Sequence, residues 1–147
     1  MANFTYDHAK FLAGSAGLNL TTADLRILLL MSNTTADTEK DKATVSAFTT
    51  LDEYDGSGYS AGGIPFTGEL LTEDNVGHKA VLDADNVTFT AIGAGTRSCV
   101  GALVIAYSGS VAASVPVAYF DTGGFPFVGN GSNVTFQVNA AGLLNIS

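Results

Sequence analysis

The chain has no tryptophan, a single cysteine, three prolines and only six lysines and arginines. Each shortage removes a class of protein. A lone cysteine, Cys99, makes neither an internal disulfide nor a zinc site, so the disulfide-stapled secreted class is excluded. The cations Lys10, Arg26, Lys79 and Arg97 stand alone, and Lys40 and Lys42 sit in the self-cancelling group Glu39-Lys40-Asp41-Lys42. Against 14 acids they leave a net charge of −8. Phosphate affinity comes from grouped Lys and Arg that displace counterions, so no nucleic-acid partner is expected, and no attachment to a membrane surface. Long apolar runs are also missing. The densest, around Ile27–Met31, falls far short of the ~20 residues that a membrane span needs. Met1-Ala2-Asn3-Phe4-Thr5-Tyr6-Asp7 has neither the basic start nor the apolar stretch of a signal peptide, and none is expected.

What is present points to one folded domain. Of 147 residues 46 % are apolar, with 9 Phe and 5 Tyr, a composition that disordered chains do not have. A chain of this length buries roughly 70 % of its unfolded surface and needs no staples.

The first twenty residues read differently from the rest. Phe4, His8, Phe11 and Leu12 recur at helical spacing, Asp7 suits a helix start, and Ala13-Gly14-Ser15-Ala16-Gly17 breaks the pattern. The reading is an N-terminal arm over 1–20, helical or extended, with a helix packed on its own domain as the alternative. Residues 21–147 then form one β domain. Leu25–Met31 is a first strand, Thr34 to Lys42 a polar loop, and Val45, Phe48 and Leu51 suggest one helical turn. Short strands follow at roughly ten-residue intervals: Phe66–Leu71, Lys79–Asp83, Val87–Ala91, Ala102–Tyr107, Val115–Asp121, Phe125–Val128, Val134–Val138 and Leu143–Ile146. Turn formers such as Asp83-Ala84-Asp85-Asn86, Thr122-Gly123-Gly124 and Gly129-Asn130-Gly131 separate them. The fold class is mainly β, an antiparallel sandwich or barrel with a short N-terminal helical or extended arm. Alternation assigns Leu28, Leu30, Val81, Phe89, Leu103, Ile105, Val117, Tyr119, Phe136 and Val138 to the core.

No catalytic set assembles. Gly58-Tyr59-Ser60-Ala61-Gly62 matches the GxSxG elbow, which lifts a serine from a strand-to-helix turn. Here Gly62-Gly63-Ile64-Pro65 follows, which does not start a helix, and His8 and His78 are badly placed to serve it. Asp52-Glu53-Tyr54-Asp55 and Asp83-Ala84-Asp85-Asn86 lack the spaced ligand pattern of a calcium loop. Asn-x-Ser/Thr triplets such as Asn33-Thr34-Thr35 follow from an Asn- and Thr-rich composition. No catalytic, metal or cofactor residues are expected, and no enzyme.

The order of several segments resembles a widespread class of small structural proteins of tailed bacteriophages. The matching stretches are "TTADLRILLLMS", "LDEYDGSGYSAGG", "AVLDADNVTFTAI", "VPVAYFDTGG" and "VTFQVNAAGLLNIS", which cover most of 21–147 in order. "GSGYSAGG" and the closing "AAGLLNIS" are the most telling. The resemblance implies a virion component, and among virion roles a head decoration (cement) protein. It would be assembled in the host cytoplasm, bound to the major capsid protein, and a homo-oligomer with a trimer favoured. The alternative is a tail, neck or fibre-associated sandwich that binds a receptor or glycan. Candidate contact residues are Phe4, Tyr6, Phe11 and Leu12 on the arm, and Tyr54 and Tyr59 on the glycine-rich loop.

Overall fold

The computed structural model describes residues 3–146. In chain order its elements are β1 (Phe4–Thr5), α1 (Asp7–Gly14), β2 (Leu25–Met31), β3 (Ile64–Pro65), β4 (Leu70–Asp74), β5 (Lys79–Asp83), β6 (Val87–Ile92), β7 (Cys99–Ala106), β8 (Val115–Phe120), β9 (Ser132–Phe136) and β10 (Leu144–Ile146), with one 3-10 turn at Val45–Ala47. Strand makes up 35 % and helix 8 %, so the fold is mainly β and sandwich-like. The main sheet has the order β1-β8-β7-β2-β3; a second runs β10-β5-β4, and β6 pairs with β9 as a ribbon. Every pairing is antiparallel.

The central strands β2 and β7 are apolar at nearly every position because both faces of the main sheet are covered. The register sets Leu28 beside Leu103 and Leu103 beside Tyr119 on one face, and Leu29 beside Ala102 and Ala102 beside Phe120 on the other. Over the first face lie α1 and the 32–51 loop. Phe4 stacks on Tyr119 at 5.7 Å between ring centroids, Tyr6 meets Phe4 edge-on at 5.0 Å, and Phe48 closes on Tyr6 at 5.6 Å. Tyr119 needs room beneath it. Gly101 supplies that room, since a side chain there would run into the Tyr119 ring. Over the second face lie the β6–β9 ribbon and the loops around it, with Phe120 edge-on to Phe136 at 5.2 Å.

The N-terminal segment is docked on its own chain. Phe4 and Thr5 pair with Tyr119 and Ala118 as an edge strand, and the Tyr6 N–H donates to Val117 O at 2.9 Å. Tyr6 is fully buried, and its hydroxyl donates to Ala36 O at 2.5 Å. Of the two readings of this segment, the described residues show the one packed on its own domain, as an edge strand and a short helix. The reason is energetic: Tyr6 is seated completely against Phe48 and Phe4, and Phe4 partly against Tyr119, so projection into water would forfeit that burial. On α1 the buried position is Ala9, where a small side chain permits close approach to β8. Phe11, roughly 200° round the helix from Ala9, faces solvent.

Most expected strands are present, with two informative shifts. Phe66–Leu71 gives way to Leu70–Asp74, because Gly68 turns the chain at φ +69° and pairing with β5 extends the strand into Thr72-Glu73-Asp74. Phe125–Val128 makes only a bridge from Phe127 to Cys99. The one-turn helix at Val45 is present as the 3-10 turn, with Val45 and Phe48 buried. In the core, Val81, Phe136 and Val138 are corrected to half-buried, while the other seven expected positions are buried. Val81 lies on the face of β5 opposite Leu82, which takes the inward place, and Phe136 and Val138 lie at and just beyond the end of the two-stranded ribbon.

Candidate functional site

Two glycine-rich segments carry the aromatic residues from which a site must be built. The first is the 52–63 loop. It runs beside β2, with Tyr54 N–H donating to Leu29 O and Met31 N–H to Asp52 O, both at 2.8 Å. β3 covers β2 only at Arg26 and Ile27, which leaves the Leu29 N–H in the gap. The Tyr59 hydroxyl accepts that N–H at 3.4 Å and donates to Glu53 Oε1 at 2.6 Å, where the Gly62 N–H also donates. Burial, and then the Glu53 carboxylate beside it, raise the Tyr59 pKa above the ordinary tyrosine range. Gly63, at φ +71°, lies against the Ile27 carbonyl where a side chain has no place.

The same loop is tied to residues 93–97. Tyr54 donates to Gly93 O at 2.7 Å and accepts the Gly95 N–H at 3.0 Å. Asp55 accepts from the Thr96 N–H and hydroxyl, and Asp52 holds the Arg97 guanidinium. Those hydrogen bonds hold both carboxyls below their ordinary range, Asp52 through Arg97 and Asp55 through Thr96. Tyr54 is buried and Tyr59 half-buried with its hydroxyl committed, so neither offers an open ring face as a stacking platform. Both are structural anchors.

The second segment is open. From Thr122 to Ser147 the chain contains no Asp, Glu, Lys, Arg or His; every charged residue precedes it. This segment and the second face of the main sheet enclose a groove of about 770 Å³. Its floor and walls include Leu29, Phe89, Phe120, Phe125, Phe127, Val134, Phe136 and Val138, with Asn130, Asn133, Gln137 and Asn139 among them. No lining residue is charged or carries a titratable side chain near neutrality. Phe120, Phe125, Phe127 and Phe136 are only half-buried, and Val128 is 64 % exposed. Aromatic enrichment with charge depletion marks the centre of protein interfaces rather than ordinary surface. The groove offers apolar area and amide hydrogen bonds, and no group that exchanges a proton.

The sequence-derived candidates divide accordingly. Phe4 and Tyr6 are packed inside the first face, Leu12 is half-buried, and Phe11 stands 66 % exposed on the outer side of α1, across the main sheet from the groove. The groove residues were not among the candidates, although the uncharged stretch after Asp121 is a signal readable in the sequence. Ser60 is exposed, and its carbonyl accepts the Gly63 N–H in a turn where the elbow motif needs a helix. Cys99 is fully buried and its thiol pushed up to about 12 by that burial. Among the described residues no group of three His, Cys, Asp or Glu is placed to hold a metal ion, and no helix is long and apolar enough to cross a membrane. No family model, curated protein or solved structure matches the chain.

Proposed function

We propose that the protein is a structural component of a tailed-phage virion, a decoration protein bound to the outer surface of the head. It stabilises the shell through protein–protein contacts with the major capsid protein and with copies of itself, with a trimer favoured. The observation that carries this reading is the uncharged, phenylalanine-lined groove, a surface suited to a macromolecular partner and devoid of acid–base groups. The resemblance of the segment order to small structural proteins of tailed bacteriophages supports the choice of particle. Capsid lattices present three-fold junctions, where a symmetric trimer makes several weak contacts at once and gains through effective concentration.

The test is addition of purified protein to phage heads that lack it. Saturable binding at a fixed copy number per three-fold junction, with raised heat resistance of the particle, is expected. Labelling at the tail tip, with no binding to heads, overturns the reading. That outcome promotes the receptor- or glycan-binding alternative, for which the amide side chains of the groove speak and which a glycan screen addresses.

A further inference from the structure

Five large apolar side chains stand out in solvent among the described residues, and three of them, Leu70, Leu71 and Val76, belong to the β4–β5 hairpin. The hairpin is built rather than loose. Asp74 Oδ1 accepts the N–H groups of Val76 and Gly77 at 3.1 and 2.8 Å, which holds Val76 at the tip, 93 % exposed. β4 ends its sheet, pairs only with β5, and is exposed from Leu70 to Glu73. Exposed apolar side chains on a free edge invite a partner, and the acids that flank them restrict which one.

The chemistry of both surfaces selects the occupant. The hairpin is acidic, with Glu69, Glu73, Asp74 and Asp83 against Lys79. The net charge of −8 resides wholly in residues 1–121, so most of a second copy repels the hairpin. The groove is the exception, being apolar, uncharged and open. We propose that the β4–β5 hairpin of one copy seats Val76 and Leu70, the leucine on the face away from Leu82, in the phenylalanine groove of the next. This rests on the homo-oligomer reading above and names the contact that builds it. The two surfaces differ, so the contact is head-to-tail, and such contacts generate closed rings when the rotation between copies closes. A rotation that closes at three gives the trimer.

Two singly substituted chains, Val76→Cys and Val128→Cys, are mixed and treated with a short bismaleimide, with the wild-type chain as control. Cys99 is buried and stays silent. The expected product is the mixed pair, in large excess over either same-site pair. In parallel, sedimentation of Leu70→Glu and Val76→Glu is expected to show the Kd of assembly raised about tenfold or more, with an unchanged circular dichroism spectrum. Oligomers that survive both substitutions and give no mixed crosslink overturn the hairpin contact and leave the oligomer reading standing. A wild-type chain that sediments as a monomer at high micromolar concentration overturns both. Crosslinking of Val128→Cys to the capsid subunit instead of Val76→Cys assigns the groove to the shell and rejects the contact between copies.

Discussion

The 52–63 loop and the 122–138 segment use the same vocabulary, glycine interleaved with aromatic rings, and come to opposite ends. In the first, Asp52, Glu53 and Asp55 accompany the rings, and each carboxylate reaches a partner: Arg97, Tyr59 with Gly62, and Thr96. Those bonds fold the loop onto its own chain and draw Tyr54 inside. In the second there is no charged side chain to tie the segment down, and Phe125 and Phe127 remain half-open, 5.8 Å apart. In this chain the loop with carboxylate anchors buries Tyr54, and the segment without them leaves Phe125 and Phe127 half-open.

Substitutions sharpen that contrast. Tyr54→Ala removes a buried ring together with its bonds to Gly93 and Gly95, and is expected to cost about 3–5 kcal/mol in denaturant unfolding. Phe125→Ala and Phe127→Ala, each already half-open, are expected to cost less than about 2 kcal/mol and to weaken assembly instead. Equal losses of stability at Tyr54 and Phe127 would erase the distinction.

Deleting residues 1–17 extends the comparison to the N-terminal segment. It removes β1 and the Tyr6 seat, so the expected outcome is a lowered Tm, with the β domain exposed on its first face. A truncated chain as stable as the full one would return this segment to the status of a free arm.

Acid separates the regions by a further route. Glu39 accepts the Thr35 and Thr49 hydroxyls and the Thr49 N–H, which lower its pKa from 4.5 to about 2. Asp52 and Asp55 are lowered as well. For a carboxyl depressed in the folded state, the stabilisation is complete above its unfolded pKa and is lost as pH falls through the folded one. Unfolding free energy is therefore expected to decline from about pH 4.5 toward about pH 2, and Glu39→Gln is expected to flatten the decline. The smallest effect is expected from Val128→Lys, which on the proposed contact places a cation beside the acidic hairpin of the next copy: assembly should weaken less than with Val128→Asp and depend more on salt, as sedimentation at two ionic strengths will read.

How much was legible in the sequence follows the same physics. Leu25–Met31 is readable, and Cys99–Ala106 is read in part as Ala102–Tyr107, because burial on both faces writes nearly continuous apolar runs, interrupted at Arg26 and Gly101. β4 is shifted in the reading because Leu70-Leu71-Thr72-Glu73-Asp74 faces water on both sides and carries no alternation. Tyr54 and Tyr59 look like a surface platform until Gly93 and Gly95, some forty positions on, supply partners for Tyr54, and Leu29 of β2 supplies one for Tyr59, pairings that local pattern does not encode. The groove is a different case. Its signature, a C-terminal stretch without charge, is plain in the sequence, but its Asn, Gly and Ser read first as turn formers.

The most direct measurement is amide hydrogen exchange on the protein free at high dilution and bound to phage heads. Strong added protection across 122–138, with no change across 52–63, is the expected result. Exchange in 122–138 that is the same free and bound, or protection that appears in 52–63 instead, would contradict the assignment of the open segment as the working surface.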